Sequence, residues 1–247
     1  MKNTETMIND LFTRMDNWRH LPSYQLERRS DLFFSLYLPE VLTEKLFTVR
    51  KELIPEFPIR IGTINENKLE SNQSTKIDYF ALSSDGYTAI LIELKTDHAS
   101  ITNEQTRNLL SSSKKDFVDL LKGVIQIFKS GNLNSIRRRK YLYLLEQLDN
   151  LEQISMPPEL KQIISNNTLH GITKASEGLK IISKVNKTIP VYIVPFKNIV
   201  TDNDIKIITF KDFQEIIERN NYNDLVSKCF YKSLSNWEDK QAGNPDK

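Results

Sequence analysis

Three charged residues in the segment 76–105 have the types and spacing of a metal-dependent hydrolytic site. Asp78 is followed by Glu93 and then, two positions later, by Lys95. Carboxylates are the ligands that Mg²⁺ prefers, one or two at a time, together with water and phosphate oxygens. A lysine beside such a site can hold the attacking water or stabilise the charge that builds on a phosphorane-like oxygen. The residue types therefore indicate a site where a metal ion and a lysine could assist a hydrolytic reaction.

A predicted β-hairpin brings these side chains together. Residues 77–82 and 87–94 are rich in Ile, Tyr, Phe, Leu and Thr, which favours strands. The dipeptide Asp85-Gly86 between them is typical of a two-residue type I′ turn, which needs a positive φ at both positions. In that register paired residue numbers sum to 171, so Asp78 faces Glu93. Lys95 then lies on the same face as Glu93, because side chains alternate along a strand.

Two facing carboxylates destabilise a hairpin unless something offsets their repulsion. A divalent cation bound between them would turn the repulsion into ligation. A solvated hairpin face that carries a Glu–Lys pair is the alternative, and the short spacing alone does not decide between them. In the site interpretation the charged side chains lie at a polar rim of the sheet, so their removal should change stability little.

The sequence around these positions resembles the signature of the PD-(D/E)xK nuclease superfamily, whose fold is that of restriction endonucleases. The resemblance covers about thirty residues and rests on Ile77-Asp78 and Ile92-Glu93-Leu94-Lys95. It implies that Asp78 and Glu93 ligate Mg²⁺ or Mn²⁺, with the backbone carbonyl of Leu94 as a further contact. It also implies that Lys95 assists the nucleophilic water. The proline that the family has before the aspartate is replaced by Ile77.

The resemblance suggests further site residues on two helices. Many members carry a polar residue, often Gln, in the helix after the lysine strand, and Gln105 fits that place. The first core helix of the family often gives an acidic residue to the metal site. Glu27 and Asp31 share a stripe of the predicted helix 24–47, and Asp31 is favoured because it lies nearer the aromatic residues. A surface acid beside Arg28 and Arg29 is the alternative for either position.

The order of predicted elements gives an α/β fold with a mixed central β-sheet flanked by helices. The pattern predicts a first strand at 56–64, the hairpin, a long helix at 103–129, and later strands at 189–196 and 205–210. This order is that of a restriction-endonuclease-like αβββαβ core, with a helical insertion at about 132–170 before the fourth core strand. We expect a single domain at 1–236 and a flexible tail at 237–247.

Composition limits the classes of partner. The net charge of +2 is too small to indicate nucleic-acid binding through bulk electrostatics, so any surface that contacts DNA must be local. The densest basic run is Arg137 to Lys140, which is either a phosphate-contacting patch or a solvated helix face. The sequence has no signal peptide pattern and no apolar run of membrane-spanning length. Together with the single Cys229, this favours a cytoplasmic protein.

These observations lead to one functional hypothesis and one alternative. The hypothesis is a Mg²⁺-dependent nuclease that hydrolyses DNA, in which a homodimer or a partner subunit can supply sequence specificity. The alternative is a catalytically silent nucleic-acid-binding or assembly module that keeps the nuclease fold. The presence of Asp78, Glu93 and Lys95 together favours the enzyme, because a purely structural protein has no reason to keep all three on one face.

Overall fold

A five-stranded mixed β-sheet flanked by helices is the main element of the protein. The structure is a computed structural model that describes residues 3–97, 101–130, 135–166, 168–197, 203–220 and 222–239. The strands are β1 Ile54–Arg60, β2 Ser74–Leu82, β3 Thr88–Leu94, β4 Ile154–Ser155, β5 Lys180–Ile181, β6 Lys187–Val194 and β7 Lys206–Thr209. The order in the large sheet is β1-β2-β3-β6-β7, and β4 and β5 form a separate ladder.

The helices precede, interrupt and follow these strands. They are α1 Thr4–Trp18, α2 Leu26–Lys45, α3 Ile61–Ile64, α4 Asn103–Ser113, α5 Phe117–Lys129, α6 Ser135–Asn150, α7 Pro158–Ser165, α8 Ile172–Ala175, α9 Phe210–Arg219 and α10 Leu225–Asp239. Strand β1 pairs antiparallel with β2, and β6 pairs parallel with β7. The prediction of a mixed sheet flanked by helices is therefore confirmed, whereas the restriction-endonuclease-like core stays a prediction.

The chain divides into two compact units. Unit 1 comprises Met1–Lys51, Ile92–Thr106 and Val191–Lys247, and unit 2 comprises Glu52–Leu91 and Arg107–Pro190. The chain passes from one unit to the other within β3, α4 and β6.

Unit 1 is built around an aromatic cluster on α2. The apolar residues of this helix recur three or four positions apart, which places them on one face. Phe34 lies on that face, is fully buried, and contacts four rings of α9 and α10, namely Phe210, Phe213, Phe230 and Trp237. The burial of five large aromatic side chains fixes α2 against the C-terminal helices. The position of α2 matters for the site, because its first turn carries Glu27.

Unit 2 packs α5 on strands β1 and β2. Phe57, Phe80 and Phe117 form a stack with ring centroids 5.1 and 5.2 Å apart between neighbours. Gly123 allows a close approach of α5, since a Cβ there would lie 2.6 Å from the Thr63 hydroxyl and 3.0 Å from the Arg60 Cβ. A side chain at this position would push the helix off the end of β1.

The long helix and the first strand that the sequence predicts differ from the structure. The long helix expected at 103–129 is wrong, because it is broken into α4 and α5 at Lys114–Asp116. Asp116 has extended backbone there (φ −53°, ψ 132°), and the hydroxyls of Ser112 and Ser113 bond backbone carbonyls in the last turns of α4. Such bonds compete with helix continuation. The first strand, expected at 56–64, ends at Arg60, after which Ile61–Ile64 forms a helical turn.

The hairpin turn also differs in type. Only Gly86 has a positive φ (79°) in this turn, so the type I′ turn over Asp85-Gly86 is wrong. Instead the Gly86 amide donates to the Ser83 carbonyl at 2.9 Å, which closes the turn one residue earlier. The Asp85 carboxylate accepts hydrogen bonds from the Tyr87 amide and the Ser83 hydroxyl, as Asp does in turns where its side chain replaces a backbone acceptor.

The insertion and the tail are only partly as expected. The segment between α5 and β6 contains the helices α6, α7 and α8 but also the short β4–β5 ladder, which the sequence pattern does not indicate. Helix α10 continues past position 236, where the tail was expected to begin, and Trp237 is fully buried. Residues 240–247 of the expected tail lie outside the described residues.

Candidate functional site

The candidate site is centred on Lys95, the residue that follows β3. Its backbone amide donates to the Ile193 carbonyl at 2.8 Å, which fixes the end of the strand against β6. Its side chain is 1 % exposed, and Lys95 is among the largest fully buried side chains of the described part of the chain. A buried lysine is uncommon, because the desolvation of an ammonium group is costly unless acceptors replace water.

Oxygen atoms of two glutamates and of one backbone carbonyl lie next to the Lys95 ammonium. The Nζ atom lies 3.2 Å from Oε2 of Glu93 and 3.3 Å from Oε2 of Glu27. It also donates to the backbone carbonyl of Leu94 at 2.9 Å. An ammonium group has three N–H donors and no acceptor, so each of these oxygens can stabilise it. The geometry therefore holds the lysine side chain in one orientation.

The burial of this cluster is uneven. Glu93 is 2 % exposed and Lys95 is 1 % exposed, whereas the Glu27 side chain is 26 % exposed. The expectation of a polar rim is therefore wrong for Glu93 and Lys95, which lie in the interior of unit 1. Each buried ion costs on the order of several kcal/mol of desolvation, which mutual attraction and hydrogen bonds must offset. Glu27 is the member of the cluster that solvent reaches.

Helix α2 places Glu27 next to Lys95. Glu27 lies in the first turn of α2, where the helix dipole stabilises a carboxylate. Asp31 is one turn further along, is half-buried, and its Oδ1 accepts the Leu32 amide at 2.7 Å. The sequence placed both acids on one stripe and favoured Asp31, whereas the structure places Glu27 within reach of the ammonium.

Asp78 belongs to unit 2, where it is a half-buried residue of β2. Near the hairpin turn the Ser83 amide donates to the Thr88 carbonyl at 2.9 Å, and these two residue numbers also sum to 171. The register that was expected from the sequence is thus present at the turn end of the hairpin, although the turn itself has a different type. The pairing of Asp78 with Glu93 stays a prediction.

Gln105 has a local role at the start of α4. Its amide donates to the Thr102 hydroxyl oxygen at 3.2 Å, and its side-chain Oε1 accepts from that hydroxyl at the same distance. Thr102 and Gln105 thus have the Thr-x-x-Gln spacing typical of helix N-termini. A role for Gln105 in chemistry stays a prediction.

Arg19 is a residue near the site that the sequence did not indicate. Burial lowers the pKa of its guanidinium, and the charges of Asp16 and Asp97 oppose that shift. Asp97 follows Lys95 by two positions, so the carboxylate that acts on Arg19 lies close to the end of β3. No sequence signal could have found this, because Arg19 follows the end of α1 and is 78 positions away from Asp97.

The donor set around Lys95 fits a hard divalent cation. Glu27 and Glu93 offer carboxylate oxygens, and Leu94 offers a carbonyl oxygen 2.9 Å from the ammonium. Mg²⁺ commonly binds through one or two carboxylates and completes its shell with water and substrate phosphate. The described residues contain no group of three or more His, Cys, Asp and Glu side chains arranged to hold a metal. A site here would therefore belong to the class with few protein ligands.

Comparisons with known proteins identify no relative: no family model matches the chain, and no curated protein or solved structure is significantly similar to it. Among the described residues, none of the helices has both the length and the apolar character to cross a membrane.

Proposed function

We propose that the protein is a metal-dependent phosphodiesterase that hydrolyses nucleic acid, with DNA as the substrate. The observation that carries this proposal is the buried lysine between two carboxylates, with Nζ 3.2 Å from Glu93 and 3.3 Å from Glu27. It includes two residues of the sequence signature, Glu93 and Lys95, and adds the first-helix acid that the resemblance anticipates.

A purely structural role explains this cluster less well. Burying two nearly inaccessible ions for stability alone is inefficient, since well-packed apolar residues of similar volume are often as stabilising or more so. A structural ion pair would also not need Glu27, whose side chain is 26 % exposed. Groups that stabilise the charge developing on a substrate in the transition state, by contrast, must be held in one orientation and partly shielded from water. Because the Glu27 side chain is partly exposed, a phosphate could approach the cluster from its side.

Each residue has a distinct role in the proposed site. Glu27, Glu93 and the Leu94 carbonyl would hold the cation, and the ligand role that the resemblance implies for Asp78 stays a prediction. Mg²⁺ or Mn²⁺, when bound, supplies a Lewis acid that polarises the phosphoryl group. Lys95 places a fixed positive charge where negative charge grows on the phosphate oxygens in the transition state. Glu27 and Glu93 orient that ammonium through the contacts described above.

The proposal is tested by a cleavage assay with purified protein on plasmid and single-stranded DNA, in Mg²⁺, in Mn²⁺ and in chelator. We expect Lys95→Ala to lower the rate about a hundredfold, since a lost transition-state donor costs about 3 kcal/mol. Glu93→Gln should lower it at least as much. Glu44→Gln is a matched control, because Glu44 is also on α2 and pairs with Arg219 away from the cluster.

Three outcomes are informative. Cleavage that needs metal and is lost in Lys95→Ala but kept in Glu44→Gln supports the proposal. Equal cleavage by all variants would assign the activity to a contaminant and refute it. If no variant cleaves but all bind DNA with a steep salt dependence, the protein is a nucleic-acid-binding module instead.

We also propose where the protein acts and in which oligomeric state. The single Cys229 suits a reducing cytoplasm, where we place the protein. A homodimer would provide two cleavage sites for the two strands of a duplex. Sedimentation of the purified chain with and without duplex DNA tests this second point.

A further inference from the structure

A small cavity in unit 2 combines basic and hydroxyl groups. Its volume is about 200 Å³, and it lies between the end of α5, the first half of α6, and α8 with the turn that follows it. Buried Phe128 and Ile172 supply its apolar lining. All of its lining residues belong to unit 2, and none of them is a residue of the Lys95 cluster.

Arg138 is the residue that makes this cavity chemically unusual. Its Nη2 donates to the Ser130 carbonyl at 3.3 Å, but its Nε is buried and has no hydrogen-bond partner. A guanidinium has five N–H donors in a fixed fork, and a buried donor without an acceptor is unfavourable. A ligand with oxygen acceptors, bound in the cavity, would provide the hydrogen-bond acceptor that the Arg138 Nε lacks.

The other polar residues of the cavity favour an anion over a cation. Lys129 adds a second positive charge, and Thr173 adds a hydroxyl that can donate. The Ser176 hydroxyl is buried and donates to the Thr173 carbonyl at 2.6 Å, which fixes the turn on which Thr173 lies. Glu177 is exposed and is the one acidic residue of the lining. Two cations against one carboxylate leave an excess of positive charge.

We propose that this cavity binds a phosphate group. A tetrahedral phosphate offers several acceptor oxygens, and Arg binds it through two parallel N–H donors. The volume suits a group of this size, since pockets for drug-sized molecules measure roughly 300–1,000 Å³. Arg137, Arg139 and Lys140 lie on the same helix and raise the local positive potential, which would draw an anion toward the cavity. The phosphate belongs either to a nucleic-acid backbone or to a small phosphorylated molecule.

The proposal does not depend on the nuclease activity and is tested by binding alone. Calorimetric titration of the whole chain with inorganic phosphate, with a 5′-phosphorylated nucleoside and with a short DNA duplex distinguishes the sources. We expect Arg138→Lys, which keeps the charge but removes the fork, to weaken binding about tenfold or more. Glu177→Gln should strengthen binding severalfold, because it removes the opposing charge. Lys122→Gln, which removes an exposed charge of α5 that pairs with Asp119, should change phosphate binding less than twofold.

The outcomes separate a binding site from a structural arginine. If Arg138 only fixes the end of α5 through Ser130, Arg138→Lys will lower the melting temperature, and phosphate affinity will be unmeasurable in every variant. That result overturns the proposal, as does an affinity that is equal in the wild type and in Glu177→Gln. Should Arg138→Lys fail to fold, Glu177→Gln and Thr173→Val still decide, because both positions are exposed. Thr173→Val should weaken binding.

Discussion

The substitution Lys95→Met removes the Lys95 ammonium and should lower the free energy of unfolding. Methionine keeps much of the apolar stem but removes the charge, so that Glu93, only 2 % exposed, loses an ammonium group 3.2 Å away. Removing one partner of a buried ion pair costs about 3–5 kcal/mol, because the other charge stays in the interior. Glu27 contributes less to this cost, since its side chain is 26 % exposed and keeps contact with water.

The measurement is urea unfolding in chelator, arranged as a double-mutant cycle. Lys95→Met should lower the free energy of unfolding by about 3–5 kcal/mol. Glu93→Gln should lower it less, because Lys95 keeps the oxygens of Glu27 and Leu94. The double variant should be more stable than the sum of the two losses predicts, with a coupling energy of about 1–3 kcal/mol. Glu44→Gln breaks an exposed pair with Arg219 and should leave stability nearly unchanged.

Additive losses would refute this reasoning, because they would mean that Glu93 and Lys95 do not interact in the folded protein. A Lys95→Met variant as stable as the wild type would refute it more directly, by showing that the interior of unit 1 tolerates the carboxylate alone. Either result would also remove the basis for treating the cluster as one site.

Three further predictions follow from individual contacts. Millimolar Mg²⁺ or Mn²⁺ should raise the melting temperature of the wild type more than that of Glu93→Gln, because only the folded state assembles the ligands; equal shifts would indicate nonspecific binding. Glu27→Gln should lower the cleavage rate at least tenfold more than Asp31→Asn, since Glu27 lies 3.3 Å from the ammonium; the reverse order would assign the first-helix role to Asp31. Burial raises the pKa of the Asp212 carboxyl, but hydrogen bonds from Lys45 and Thr209 outweigh this, and the pKa lies below its ordinary value. Asp212 therefore stabilises the fold above its unfolded pKa of about 3.9, and this is lost as the pH falls through the folded pKa; urea unfolding between neutral and acidic pH should show a flatter profile in Asp212→Asn.

The sequence predicted β3 and β6 well because their composition and length are distinctive. Strand β3 is apolar over almost its whole length, and β6 reads as a buried run, so each was located to within two or three residues. The sequence also indicated Glu93 and Lys95, because strand alternation puts residues two apart on one face. These features depend on local spacing, which a single sequence contains.

The features that the sequence could not predict depend on how distant elements pack together. Glu27 and Asp31 share one helical stripe, and only the position of α2 against the end of β3 decides which acid meets Lys95. The burial of Lys95 was missed for the same reason, because alternation predicts a face but not what covers that face. Trp237 lies in the segment that the sequence predicts to be a flexible tail, but the Phe34 cluster buries it completely. A single residue near a chain end carries no periodicity from which such burial can be inferred.

The buried cluster leaves a choice between stability and chemistry as the reason for its existence. Replacing a buried ion pair by apolar residues of similar volume is often neutral or stabilising, by about 1–4 kcal/mol. The variant Glu93→Leu with Lys95→Met makes this replacement while leaving Glu27 in contact with solvent. If that chain unfolds at least as late in urea as the wild type, stability does not account for the two charges, and the remaining explanation is that they act on a ligand. If it unfolds much earlier, the ion pair itself stabilises the fold, and the proposed chemistry loses its main structural argument.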